Sequence, residues 1–291
     1  MANKKKRASN ALEIQNASKT LFANIQFASV DYPVQSIVVT SAVPNEGKTT
    51  TAINLAMAIA GSGKSTLIVE ADMRRRTLSS ALGVSPRVGA YAVMARTATL
   101  EEAVAPTKVQ NLYLLDVEPN IPNPADLLSS KSYQRLVTDV CNSFDYVIFD
   151  TSPVGTFVDA AILSRLVDGT IMVVKVGGAK REDILAAYDQ LQKAEANILG
   201  ACATYCEDTS SEYYYAYYNK DNQRVDPVRD NSRSERSYSG SADRAKAHQG
   251  EAMDIPKGPA TAPRGRTPRR SEMETPPGKT MGTNPVKTGR R

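Results

Sequence analysis

From Ala11 to about Cys206, short apolar runs rich in β-branched residues alternate with stretches whose apolar positions recur at helical spacing. Ile37–Ser41, Leu67–Glu70 and Tyr146–Asp150 read as strands buried on both faces, because they are continuous apolar runs and do not alternate with polar residues. Thr49 to Ala60 and Ala11 to Phe27 have a helical period, and Asn123 before Pro124 is an ordinary helix start, a cap followed by a first-turn proline. Strand and helix in turn predict an α/β fold, a three-layer sandwich with helices on both faces of a mainly parallel sheet. About 200 residues suffice for one substantial core. The Ala11 to Phe27 helix reads either as a cover for the sheet or as a subunit contact.

Between the first strand and the helix after it lies Ser41-Ala-Val-Pro-Asn-Glu-Gly-Lys-Thr49. A strand, a tight loop ending Gly-Lys-Thr, then a helix is the context in which loop amides and a helix N-terminus cradle a phosphate. The fold expected is therefore of the P-loop NTPase type. Lys48 would reach the β/γ-phosphates and the Thr49 hydroxyl would ligate Mg²⁺. The ATP-binding segment runs through Ala42, Val43, Pro44, Asn45, Glu46, Gly47, Lys48, Thr49 and Thr50, with Ala42 where the general pattern has its first glycine. Gly63-Lys64-Ser65 repeats the ending, but it follows a helix and enters a strand, so it reads as a turn.

Two further strands end in carboxylates, at Glu70-Ala-Asp72 and at Asp150. In a parallel sheet these ends share the ligand-binding edge, where carboxylates hold Mg²⁺ or accept a proton from an attacking hydroxyl. Thr49, Asp72 and Asp150 form the expected metal site, with Glu70 as a further carboxylate, and Lys48, Asp72 and Asp150 the expected catalytic group.

Past residue 206 the pattern stops. Tyr213, Tyr214, Tyr215, Tyr217 and Tyr218 are five of the chain's 13 tyrosines, a run that reads as a substrate carried by the protein itself once a phosphoryl donor site is present. Stacking or interface use of the same rings is the alternative. From Lys220 to Arg291 sixteen Lys/Arg face nine Asp/Glu, whereas residues 1–219 hold twenty against twenty-two, so the net charge of +5 comes from the tail. Half of the 16 prolines also lie there, among few apolar residues, which is the composition of disorder. Nucleic acid, an anionic membrane surface or nearby phosphotyrosines would suit such a tail, as would solvent alone; no specific nucleic-acid partner is expected. The organisation expected is a basic extension over 1–10, a catalytic domain over 11–206, the tyrosine cluster over 207–219 and a Pro-rich tail over 220–291.

No apolar run approaches the ~20 residues that cross a bilayer, and no apolar region follows Lys4-Lys5-Lys6-Arg7 as a signal peptide would require. Cys141, Cys202 and Cys206 with the single His248 do not make a zinc-ligand set, and read as buried thiols of a reducing cytoplasm.

With three nucleotide-type motifs and a tyrosine cluster, the sequence resembles the bacterial tyrosine kinases that control polysaccharide export, in particular the stand-alone cytoplasmic kinases of capsule and exopolysaccharide assembly. The resemblance reaches Tyr218 through Asn24-Ile-Gln26, Pro44 to Thr50, Glu70-Ala-Asp-Met-Arg74, Pro122 to Ser130, Phe144 to Thr151, Asp159-Ala160 and Ile198-Leu-Gly200. It implies ATP and Mg²⁺ at Lys48, Thr49, Asp72 and Asp150, a strand-end acid that activates the phenol, and the five clustered tyrosines as acceptors, phosphorylated between subunits. It also implies three kinds of partner: a membrane activator of the chain-length-determinant type that recruits the kinase to the inner face of the cell membrane, further copies of the chain, and a tyrosine phosphatase. Four departures stand out. Glu70 replaces an Asp, Ser152 replaces the first Pro of Asp-Thr-Pro-Pro, Thr204 replaces an Asn near the adenine, and Asn16, Lys19 and Phe22 occupy the oligomer motif Glu-x-x-Arg-x-x-Arg. Two alternatives remain beside the kinase. A partitioning-type ATPase switch would carry an extra lysine at Val43, and a nucleotide-binding scaffold would account for Glu70 and Thr204.

Overall fold

A computed structural model describes residues 2–28 and 33–206, with side chains from residue 11 onward. The tyrosine cluster and the basic tail lie outside the described residues. The elements run α1 (Ala2–Phe27), β1 (Ser36–Ser41), α2 (Lys48–Gly61), β2 (Thr66–Glu70), α3 (Leu78–Leu82), α4 (Ala90–Met94), α5 (Leu100–Ala103), β3 (Val104–Pro106) and β4 (Leu112–Leu115). They continue through α6 (Pro124–Ser129), α7 (Lys131–Ser143), β5 (Tyr146–Asp150), α8 (Asp159–Ser164), β6 (Gly169–Lys175), α9 (Arg181–Lys193) and β7 (Ile198–Thr204).

These strands form one sheet in the order β3-β4-β2-β5-β1-β6-β7. Every pairing is parallel except β3 with β4. The exception is a three-residue strand that contains Pro106, which an edge position tolerates because it needs no donor on its outer side. Along β1 the side chains alternate between two cores. Ile37 and Val39 face α1, α2 and α3 through Phe22, Leu55, Ile59 and Leu78, whereas Val38 faces the opposite layer with Tyr133, Val140, Leu163 and Leu191 of α7, α8 and α9. The sheet thus lies between two helical layers, as the alternating pattern predicted.

Helix α1 starts nine residues upstream of Ala11, since alanine, lysine and arginine are good helix formers. Its C-terminal half packs on the sheet layer: Phe22 and Ile25 are buried, and the Phe22 ring meets Tyr146 edge-on with centroids 5.3 Å apart. Phe22 therefore belongs to the intramolecular core, while Asn16 and Lys19 are exposed. Gly63-Lys64-Ser65 is the turn that was expected; Gly63 has φ 87° and the Ser65 amide donates to Asp145 Oδ2 at 2.8 Å. The thiols differ from expectation: Cys141 and Cys202 are half-buried and Cys206 is exposed. Among the described residues no helix is long and apolar enough to cross a membrane.

Candidate phosphoryl-transfer site

The parallel register brings the strand-end acids together. Glu70 pairs with Asp150 across β2 and β5, and Val39 pairs with Asp150 across β1 and β5, so both carboxylates sit beside the loop that leaves β1. That loop turns on Asn45 at φ 63° and Gly47 at φ 92°, a left-handed conformation that glycine adopts freely. Ala42 is not among the positive-φ residues, so the first-glycine position carries a methyl group without strain.

Glu46 folds back into the loop. Its buried carboxylate accepts from the amides of Ala42 at 3.2 Å and Val43 at 3.3 Å through Oε2, and from Lys175 at 3.3 Å through Oε1. The amides of Ala42 and Val43 are thus already engaged. Those of the first turn of α2, from Lys48 to Thr50, belong to the group that no helix satisfies internally, and they face the cleft with its dipole. Thr204, at the end of β7, donates from Oγ1 to the Glu46 carbonyl at 2.8 Å and lies against Gly47. Its hydroxyl braces the loop.

A cleft of about 390 Å³ opens here, lined among others by Asn45, Lys48, Thr49, Asp72, Arg75 and Tyr205. Lys48 is 9% exposed; burial pushes its pKa down, against the pull of Asp150, Asp72 and Glu46. Asp150 is 1% exposed and neither carboxylate oxygen has a hydrogen-bond partner among the described residues. Burial raises its pKa to about 7, opposed by the nearby Thr49 hydroxyl and Lys48 and reinforced by Asp72. Thr49 lies close enough to favour the anion without bonding it; its Oγ1 instead pairs with Thr77 Oγ1 at 3.3 Å.

Glu70 is placed differently. Its carboxylate accepts from the amides of Thr77 at 2.7 Å and Leu78 at 3.0 Å, which start α3, and from Asp72 at 3.2 Å. Its longer arm reaches the backbone, and burial together with Asp150 raises its pKa to about 8. Asp72 stays at the cleft wall, half-buried, with Oδ1 accepting from the amides of Arg74 at 3.2 Å and Arg75 at 3.0 Å. Burial raises its pKa as well.

These groups fit a magnesium–nucleotide. An orphaned, buried carboxylate beside a free helix N-terminus and a buried ammonium is costly alone and is relieved by a cation that also binds phosphate. Among the described residues no three Asp, Glu, His or Cys side chains converge to hold a metal unaided; Mg²⁺ typically takes only one or two carboxylates and fills its octahedron with phosphate and water.

Several contacts of the site depend on partners that the sequence alone does not pair. Arg74 forms a two-point ion pair with fully buried Asp159, Nε to Oδ2 at 3.0 Å and Nη2 to Oδ1 at 3.3 Å, and lies 4.1 Å over the Phe157 ring. Ser152, in place of proline, adds a hydroxyl bond to Asp159 Oδ2 at 3.2 Å. The Tyr205 ring, 4.6 Å from the Lys175 ammonium, closes one side of the cleft. Val43, where a second lysine would stand, packs against the core and brings no charge.

Residues 34–196 match a protein-family model described as an AAA domain. The chain is 38% identical over 204 residues to the tyrosine-protein kinase YwqD of Bacillus subtilis, a match that covers 70% of this chain and 86% of YwqD. Among solved structures, the chimerical protein CapA2B2 superposes with a TM-score of 0.61 at 31% identity, over 64% of this chain and 82% of that one. The septum site-determining protein MinD of Pyrococcus horikoshii, complexed with Mg-ADP, superposes with a TM-score of 0.50 at 25% identity, over 57% of this chain and 68% of that one. The chain belongs to the bacterial tyrosine-protein kinase family, built on an AAA-type nucleotide-binding domain.

Proposed function

We propose that this protein is an ATP-dependent protein-tyrosine kinase that phosphorylates its own cluster, Tyr213, Tyr214, Tyr215, Tyr217 and Tyr218, between subunits. The observation that carries this reading is the buried, unpartnered Asp150 carboxylate beside Lys48 at the N-terminus of α2. Lys48 and the first-turn amides of α2 would hold the β- and γ-phosphates, while Thr49 and Asp150 would hold Mg²⁺. The ion, when bound, neutralises charge that develops on the transferring phosphoryl group. Asp72 faces the cleft with one oxygen engaged by backbone amides, and its raised pKa suits an acid that accepts the phenolic proton. Glu70, held by three amides, supports the start of α3 and keeps the strand ends aligned.

Several phosphates of roughly −1.5 to −2 charge each on adjacent tyrosines would repel one another and neighbouring subunits, a mechanism for cyclic assembly and release. The setting that suits this cycle is capsule or exopolysaccharide export, with a membrane activator that recruits the kinase to the inner face of the membrane and a phosphatase that resets the tail. Purified protein mixed with Mg²⁺, ATP and the cytoplasmic tail of the activator is expected to gain phosphotyrosine, and Lys48→Met to gain at most about 1% as much. Undiminished labelling of Lys48→Met would sink the assignment. Hydrolysis of ATP without phosphotyrosine would instead favour an assembly switch, and binding without turnover a scaffold.

A further inference from the structure

Three consecutive arginines leave the end of β2, and they divide by partner. Arg74 is fixed on Asp159 as described, and Arg76 is fixed on buried Asp116, with Nε to Oδ1 at 3.3 Å and Nη2 to Oδ2 at 2.5 Å. Arg75 differs from both. Among the described residues its guanidinium makes one hydrogen bond, a weak one of 3.3 Å from Nη1 to the neutral Asn45 Oδ1 at the tip of the phosphate loop. Its backbone, by contrast, is held: the amide donates to Asp72 Oδ1 at 3.0 Å and lies 3.1 Å from the Asp72 carbonyl oxygen.

The residue is thus presented on a rigid turn with an uncommitted cationic head. That head lines the same cleft as Lys48 and lies close enough for its charge to act against the Lys48 ammonium. Two cations facing one cavity repel each other unless an anion enters between them. A guanidinium offers a planar fork of donors that matches phosphate oxygens, and most of the fork is unused here. Position selects which phosphate. In the sheet β2 and β7 lie on opposite sides of β1, so Arg75, which follows Asp72 beyond β2, enters the cleft from the strands that carry the acids, where the transferring phosphoryl group must sit, whereas Tyr205 follows β7.

We propose that Arg75 reads the terminal phosphate: when a nucleoside triphosphate binds, the guanidinium leaves Asn45 and closes on the γ-phosphate across from Lys48. The inference rests on the reading of this cleft as an ATP site. It makes Arg75 a source of preference for triphosphate over diphosphate, which a cycling kinase needs in order to release its product.

Calorimetric titration of the full-length chain with Mg-ADP and with a non-hydrolysable Mg-ATP analogue tests it. Arg75→Ala and Arg75→Gln are expected to weaken the analogue about tenfold or more, the loss expected for a charge-assisted hydrogen bond, while ADP affinity stays within about twofold. Arg75→Lys is expected to recover part of the loss, since the charge returns without the fork. Equal weakening of both nucleotides, or of neither, in the Ala and Gln variants overturns the inference. If those outcomes occur while the wild type binds both nucleotides and Lys48→Met does not, the ATP site stands and only the role of Arg75 falls. If the wild type binds neither nucleotide, the ATP reading falls, and this inference with it.

Discussion

Asp150 is the residue whose energetics expose the site. Its pKa near 7 and that of Glu70 near 8 lie above the ordinary carboxylate range, so both acids hold a proton in the folded chain at pH 5 that the unfolded chain has released. The stability this contributes is fully present below about pH 4 and is lost as pH rises through 7 and 8. Nucleotide-free protein should therefore melt at progressively lower temperature from pH 5 to pH 8. Asp150→Asn removes the buried anion and should flatten the part of this decline that ends near pH 7, leaving the variant about 1–3 kcal/mol more stable than wild type at pH 9. The two should converge only as pH falls toward 4, where the carboxyl is protonated in the unfolded chain as well. Melting temperatures of the two that run parallel from pH 5 to 8 would show that Asp150 is not a buried orphan acid. The same variant should lose kinase activity by at least about a hundredfold.

At the scale of elements, the site depends on loops that lock onto the end of β1. The segment after β5 is tied there by Thr151 Oγ1 to the Val39 carbonyl at 2.9 Å and by the Val154 amide to the Ser41 carbonyl at 2.9 Å. Gly155 completes the lock: a Cβ there would press into the Ala42 carbonyl oxygen, far inside contact distance, with only backbone to yield. Gly155→Ala should cost about 1–3 kcal/mol in thermal or denaturant unfolding and weaken nucleotide binding several-fold. An unchanged affinity would show that the loop tolerates the shift. The strands that carry the acids were legible because runs buried on both faces have no polar alternation to confuse them. Strand β4 is only four residues long and β3 contains a proline, so neither announces itself. The inward turn of Glu46 and the commitments of Arg74 and Arg76 depend on partners found only in three dimensions, for the two arginines 85 and 40 residues away. Arg75 could have been noticed as part of a three-arginine run, but its freedom becomes visible only once its neighbours' partners are known.

Across the whole molecule, a catalytic sheet of the kinase family is joined to a chain end that holds five clustered tyrosines and an excess of positive charge. The burial of Phe22 on Tyr146 means that the position matching the last arginine of the family's oligomer motif serves the monomer's core here. Phe22 is thus not available for the contact that this motif would make. Replacing all five clustered tyrosines by phenylalanine should abolish most phosphotyrosine while leaving nucleotide affinity within about twofold, because the donor site and the acceptors are separate parts of the chain. If transfer runs between subunits, mixing this variant with Lys48→Met should label the Lys48→Met chain. The most direct measurement is mass-spectrometric mapping of the full-length protein after incubation with Mg²⁺, ATP and the activator tail, beside Lys48→Met treated alike. The account predicts phosphate on Tyr213 to Tyr218 in the wild type and none in the variant; ATP consumed with all five tyrosines unmodified would contradict it.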